Sequence, residues 1–221
     1  MRLAAAALLL ACLALPGAAQ NLPDLPDLPD LGDLPEPTRY LAGYVTAGAG
    51  WSRPFGGHWG DGDSGFKTSG ALSLAISKRV DELLSYGAES FYGPLYPNSG
   101  VEGLDVRMVS LTPFVRAAFP QGNKVFFGLF GAGVYQWRQE AYSAGGVRYG
   151  SDSGSSGGFN LGGGVLYPFW FGTNAGLELR WHRIFNLNGA NLDLGAVNNI
   201  NLMFTVQYGV WKDKKSPVPA P

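Results

Sequence analysis

Four charged residues stand inside otherwise alternating apolar and polar stretches: Glu89, Arg116, Glu178 and Arg180. Two carboxylates and two guanidinium groups can do one thing without help, which is to pair, because Arg presents a fork of donors that matches a carboxylate. Glu178 and Arg180 lie two residues apart, and so does His182 beyond them, so all three share one face if the segment is a strand. A histidine invites a hydrolytic reading, in which it activates a hydroxyl nucleophile. The chain reads His182-Arg183-Ile184-Phe185-Asn186, with no serine two residues on, and the constellation a nucleophilic site needs is incomplete. Asp61-Gly62-Asp63-Ser64-Gly65 looks like the opening of a calcium loop, yet Leu72 occupies the position where a bidentate acid is required. A turn rich in Asp and Gly accounts for that run without a metal, and no cofactor or metal ligand set is assigned.

The elements that must position these residues are strands. Asn199–Trp211 sets Ile200, Leu202, Phe204, Val206, Tyr208 and Val210 on one side and Asn199, Asn201, Thr205, Gln207 and Gly209 on the other, with only Met203 breaking the polar face. Seven stretches upstream read the same way: about Tyr40–Ser52, Phe66–Lys78, Glu82–Tyr92, Leu104–Phe119, Val125–Glu140, Gly158–Tyr167 and Thr173–Phe185. Phe66, Leu72, Leu74 and Ile76 share a face in the second. Leu84, Tyr86, Ala88 and Tyr92 oppose Ser85, Gly87, Glu89 and Phe91 in the third, and Ala175, Leu177, Leu179 and Trp181 oppose Asn174, Gly176, Glu178, Arg180 and His182 in the seventh. The fourth changes parity between Met108 and Val109, which predicts a bulge there. The fifth, with Phe126, Phe127, Leu129 and Phe130, is apolar on both sides, so its faces stay unassigned.

Connections alternate in length. Arg53–Gly65, Gly93–Gly103, Ala141–Gly157 and Asn186–Asn198 are long; Arg79–Asp81, Pro120–Lys124 and Pro168–Gly172 are short. Together these features predict an all-β fold, an eight-stranded antiparallel transmembrane β-barrel with short periplasmic turns and long outer loops. Aromatic residues toward strand ends fit interfacial girdles: Tyr44, Trp51, Phe66, Tyr86, Tyr92, Phe119, Trp137, Tyr167, Trp170, Trp181 and Trp211. A lipid-facing Arg at the bilayer midplane costs ~2–4 kcal/mol, so Glu89, Arg116, Glu178 and Arg180 are expected to point inward, as a lumen polar network that acts as a plug.

The chain opens with Met1-Arg2, an apolar run from Leu3 to Leu15 and Gly17-Ala18-Ala19, the pattern of a signal peptide over residues 1–19. A competing reading takes Leu9-Leu10-Ala11-Cys12 as a lipoprotein processing box. Cys12 is the single cysteine, so cleavage after Ala19 leaves no thiol or disulfide chemistry. Residues 20–39 carry the repeat Leu22-Pro23-Asp24, Leu25-Pro26-Asp27, Leu28-Pro29-Asp30, read as a semi-rigid polyproline II periplasmic spacer. The barrel is placed at 40–211 and a disordered tail at 212–221. A net charge of −1 leaves no basic surplus for nucleic acid, and 15% charged residues is low for a soluble domain.

This pattern resembles the OmpA-like family of small outer membrane barrels. The resemblance is carried by the final strand, Asn201 to Trp211, by Ala175-Gly176-Leu177-Glu178-Leu179-Arg180-Trp181, and by Gly131-Ala132-Gly133-Val134-Tyr135 and Leu161-Gly162-Gly163-Gly164-Val165. It implies export to the cell outer membrane, contact with its lipids and lipopolysaccharide, insertion by the barrel assembly machinery, and a structural or surface-binding role rather than catalysis. A narrow solute channel is the alternative. Lipid A acyl hydrolysis is the enzymatic one, disfavoured because relatives with that activity pair the His with the missing Ser. Loop residues His58, Trp59, Tyr96 and Tyr149 are the candidates for contact with an extracellular ligand.

Overall fold

A computed structural model of the chain describes residues 41–60, 62–81, 83–170 and 172–212. The eight long strands are β1 (Leu41–Phe55), β2 (Ser69–Arg79), β3 (Leu84–Pro97), β4 (Asp105–Gln121), β5 (Lys124–Gln139), β8 (Asp152–Trp170), β9 (Thr173–Ile184) and β10 (Val197–Lys212). A short helix, α1 (Gly57–Gly60), follows β1, and the hairpin β6 (Tyr142–Ala144) and β7 (Val147–Tyr149) stands between β5 and β8. The eight long strands form one closed barrel in which every neighbouring pair is antiparallel and β10 returns to pair with β1. Closure leaves no free edge, so each of the eight long strands has a ladder partner on both sides. Among the described residues no helix is long and apolar enough to cross a membrane.

Which side of the wall is greasy follows from parity. Leu72, Leu74 and Ile76 of β2, Leu177 and Leu179 of β9, and Leu202, Phe204 and Tyr208 of β10 all face out, with Leu74 and Leu179 each 56% exposed. A continuous apolar band of this kind is far larger than a water-exposed surface tolerates, whereas lipid accommodates it at no cost. The three short turns lie at one end. In the β4–β5 turn Gly122 takes a φ of +58° and Asn123 does not have positive φ, the pattern of a II′ hairpin whose twist suits the strands it joins. Between β2 and β3, Asp81 Oδ1 accepts the backbone N–H groups of Leu83 and Leu84 at 2.8 and 2.7 Å, a side chain substituting for the missing ladder. The longer connections gather at the opposite end.

Three expectations from the sequence need correction. The fourth strand carries no bulge at Met108 or Val109: β4 keeps one parity, with Val106, Met108, Ser110 and Thr112 all buried in the lumen and Val109 and Leu111 outside. The register shift falls in β3, between Gly93 and Tyr96. Apolar Val106 and Met108 can point inward because the outer third of the lumen is itself apolar. Phe66 precedes β2 and is buried in that same cluster, so it belongs neither to the lipid face nor to a girdle. Trp137 is likewise internal, whereas Trp51, Tyr86, Tyr92, Phe119 and Tyr167 are exposed at the outer wall. The unassigned fifth strand resolves with Phe127, Leu129, Tyr135 and Trp137 inward and Phe126, Phe130 and Val134 outward. The expected signal peptide and spacer lie outside the described residues, and so does the expected tail apart from Lys212, which ends β10 opposite Leu41.

Candidate functional site in the lumen

The lumen is packed in layers. Nearest the short turns, Phe127, Leu129 and Leu166 cluster, with the Arg116 guanidinium carbon 3.7 Å from the centre of the Phe127 ring. A cation over an aromatic face gains from the ring quadrupole, most where water is excluded, and Arg116 is only 8% exposed. Above it Arg180 bridges two acids, pairing through Nη1 with Glu89 on β3 and through Nη2 with Glu178 on its own strand. Glu89, Glu178 and Arg180 are 4%, 6% and 6% exposed. With Arg116 the four charges cancel, and the pairing joins β3 to β9 across the barrel. Of the four candidate residues, the structure joins three in one ion-paired bridge and sets Arg116 against an aromatic ring instead.

Room for the Arg180 stem comes from the neighbouring strand. Gly162 of β8 is its direct partner in register, and a Cβ there would stand 3.0 Å from Arg180 Cγ. The glycine run Gly162-Gly163-Gly164 therefore reads as a packing feature. Similarly, Ala71 lies against Phe91 and Met203, small beside large across the lumen.

The next layer contains His182, 1% exposed. Its Nδ1 faces Tyr135 Oη at 2.9 Å and its Nε2 faces Asn201 Nδ2 at 2.9 Å, while Phe91 lies 5.1 Å away ring to ring. Both ring nitrogens are thus engaged by a phenol and an amide. Neither partner is a serine or threonine.

The outermost layer is a cap. Trp59, the buried residue of α1, turns into the mouth with zero exposure and donates its indole N–H to Asn199 Oδ1 at 2.6 Å. It packs on Phe66 and Tyr96 at ring distances of 4.6 and 5.3 Å, and Tyr96 donates in turn to Ser52 Oγ at 2.6 Å. Leu187 and Leu192, from the β9–β10 connection, complete the cap with Leu104, Ile184 and Val197. Of the four loop residues proposed as ligand contacts, Trp59 and Tyr96 are therefore interior packing residues, His58 is exposed, and Tyr149 is stacked on Tyr142 at 4.8 Å. No periodicity marks Trp59, since it sits on a helix of only one turn within a long connection. Tyr135 is hidden by a strand apolar on both faces, and the same ambiguity makes Trp137 look like a girdle residue. Asp61 lies outside the described residues, and among those described no group of three His, Cys, Asp or Glu is arranged to hold a metal.

No protein-family model matches the chain, and no curated protein sequence matches it. Solved structures do. Neisserial surface protein A superposes with a TM-score of 0.54 at 17% identity, over 76% of this chain and 97% of that one. Ail, the attachment invasion locus protein of Yersinia pestis, gives a TM-score of 0.44 at 16% identity, over 76% and 99%. The outer membrane protein OprG from Pseudomonas aeruginosa gives 0.42 at 13% identity, over 76% and 96%. At such identities the likeness is one of fold: the chain has the closed eight-stranded architecture of small outer membrane barrels, and the OmpA-like resemblance holds at that level.

Proposed function

We propose that this chain is a non-enzymatic outer membrane protein, a rigid barrel that displays its long connections outside the cell for binding. The observation that carries the reading is the filled lumen. From Phe127 through the Glu89–Arg180–Glu178 bridge to the Trp59 cap, successive layers of side chains occupy the interior, which supports a plug rather than a conduit. An eight-stranded barrel has an interior just wide enough for this. The engagement of both His182 nitrogens by Tyr135 and Asn201 supports a structural histidine over a hydrolytic one.

Binding would then fall to the outer connections. The β6–β7 hairpin is the preformed one, held by Tyr142 stacked on Tyr149 within 9° of parallel and presenting Val147 at 54% exposure. Ordering before contact lowers the entropy lost on binding. Membrane lipids and lipopolysaccharide would surround the wall, and the alternating β10 would be the segment read by the barrel assembly machinery.

Two measurements test the proposal. Heat-modifiable gel mobility in outer membrane fractions, with protease shaving of the hairpin on intact cells, is the expected result; a chain found in soluble fractions overturns it. Planar bilayer recordings should be silent for the wild type and for Glu178→Ala and Arg180→Ala. Stable conductance that grows in either variant would establish the channel instead.

A further inference from the structure

On the outside of the barrel, the register of β4, β5 and β8 orders the side chains by height. Leu111 stands opposite Val134, and Val115 opposite Phe130, all facing lipid. One step farther from the short turns, Val109 is opposite Gln136 and Gln136 opposite Ser155, with the girdle residue Tyr92 beside Val109. One step farther again, Arg107 stands directly opposite Arg138, and Arg138 opposite Ser153. The wall thus passes from aliphatic to amide and hydroxyl to doubly cationic within two rungs.

Two like charges at directly opposed positions repel, and strands avoid the arrangement unless an anion meets it. Among the described residues only Glu140 does so, reaching Arg107 Nη2 at 3.4 Å and Arg138 Nε at 3.9 Å through the same oxygen. Both arginines remain open, with side chains 49% and 64% exposed. Glu140 and Asp105 lie one rung beyond, away from the aliphatic band, so the cationic heads are the charges nearest the lipid. Between them runs an open groove of about 510 Å³, floored by Trp137 and Gly154 and bordered by Gln136, Ser153 and Ser155.

We propose that this groove binds the phosphorylated headgroup of a glycolipid in the surrounding outer leaflet, Arg107 and Arg138 clamping one phosphate while the acyl chains lie along Val109, Leu111 and Val134. The assignment rests on the membrane reading given above. Guanidinium forks suit phosphate oxygens bidentately, and the neighbouring hydroxyls and amide supply further donors to the sugar. The aliphatic column directly beneath is what distinguishes a lipid headgroup from a free anion as occupant.

The test is native mass spectrometry of the refolded full chain in detergent micelles, titrated with bisphosphorylated lipid A and with the same glycolipid stripped of its phosphates. The wild type should retain the phosphorylated form about tenfold better, as loss of paired charge-assisted contacts implies. The Arg107→Gln, Arg138→Gln double variant should lose that preference while keeping heat-modifiable mobility. Lys78→Gln, an exposed cation at the short-turn end of β2, should not. Equal retention by wild type and double variant, or of the two glycolipids by the wild type, overturns the site. Displacement by millimolar inorganic phosphate assigns it to a free anion and overturns the headgroup. A chain that fails to enter phospholipid vesicles is a separate result, which sinks the membrane reading and this site with it.

Discussion

Among the buried charged residues, Arg180 has the largest predicted effect. It neutralises Glu89 and Glu178 in a place water does not reach, so removing it leaves two buried carboxylates facing each other. Breaking a buried pair by deleting one partner costs about 3–5 kcal/mol. Arg180→Met should therefore lower the urea midpoint of the folded barrel in detergent by that equivalent, and Glu89→Gln in the same chain should restore part of it. Arg116 is held by the Phe127 face, and Arg116→Gln should cost less, within about 2 kcal/mol. A ranking in the opposite order, read from the same unfolding curves, would mean that the bridge is not what holds β3 against β9.

At the scale of the element, parity decides outcome. Phe204 and Thr205 are neighbours on β10, one 55% and the other 2% exposed. Phe204→Arg should destabilise the inserted barrel by about 2–4 kcal/mol, the cost of a cation facing the bilayer midplane, measured by reversible unfolding from phospholipid vesicles. The lumen-facing glycines set a second constraint, since they let walls and large side chains approach. A Cβ on Gly176 would collide with the Val165 carbonyl, so Gly176→Ala should displace the β8–β9 ladder and slow or prevent formation of the heat-modifiable species. Gly157, whose Cβ would meet only the Phe185 ring at 3.5 Å, should accept alanine with little change in the same gel assay.

For the molecule as a whole, the cap makes the outer connections part of the barrel's interior. Trp59 from α1, Phe66 from the segment before β2 and Leu187 from the last long connection meet over one mouth, so loops that look independent are packed together. Trp59→Ala deletes a buried indole and its bond to Asn199, a change that costs about 3–5 kcal/mol where the site cannot collapse. It should also raise protease sensitivity of the 56–68 segment while leaving the strands below intact, which limited proteolysis followed by gel mobility would show. Uniform loss of the whole barrel instead would mean that the cap and the wall unfold as one unit.

The eight barrel strands, their closure and the direction in which Leu74, Leu179, Phe204, Glu89 and Arg180 point are legible along the chain, whereas the β6–β7 hairpin is not, because a period of two over a long strand ties every side chain to a face and the bilayer penalises the wrong one. The sequence places charged residues inside without choosing their partners. That Arg180 takes both acids, that Arg116 rests on Phe127, that His182 lies between Tyr135 and Asn201, and that Trp59 and Tyr96 fill the mouth emerges once the barrel is closed. Pairing across a lumen depends on register and strand stagger summed around the ring, and a tryptophan on a one-turn helix carries no periodicity to say where it will be buried. Parity is local and additive along one strand; the contents of a closed cylinder depend on all eight strands together.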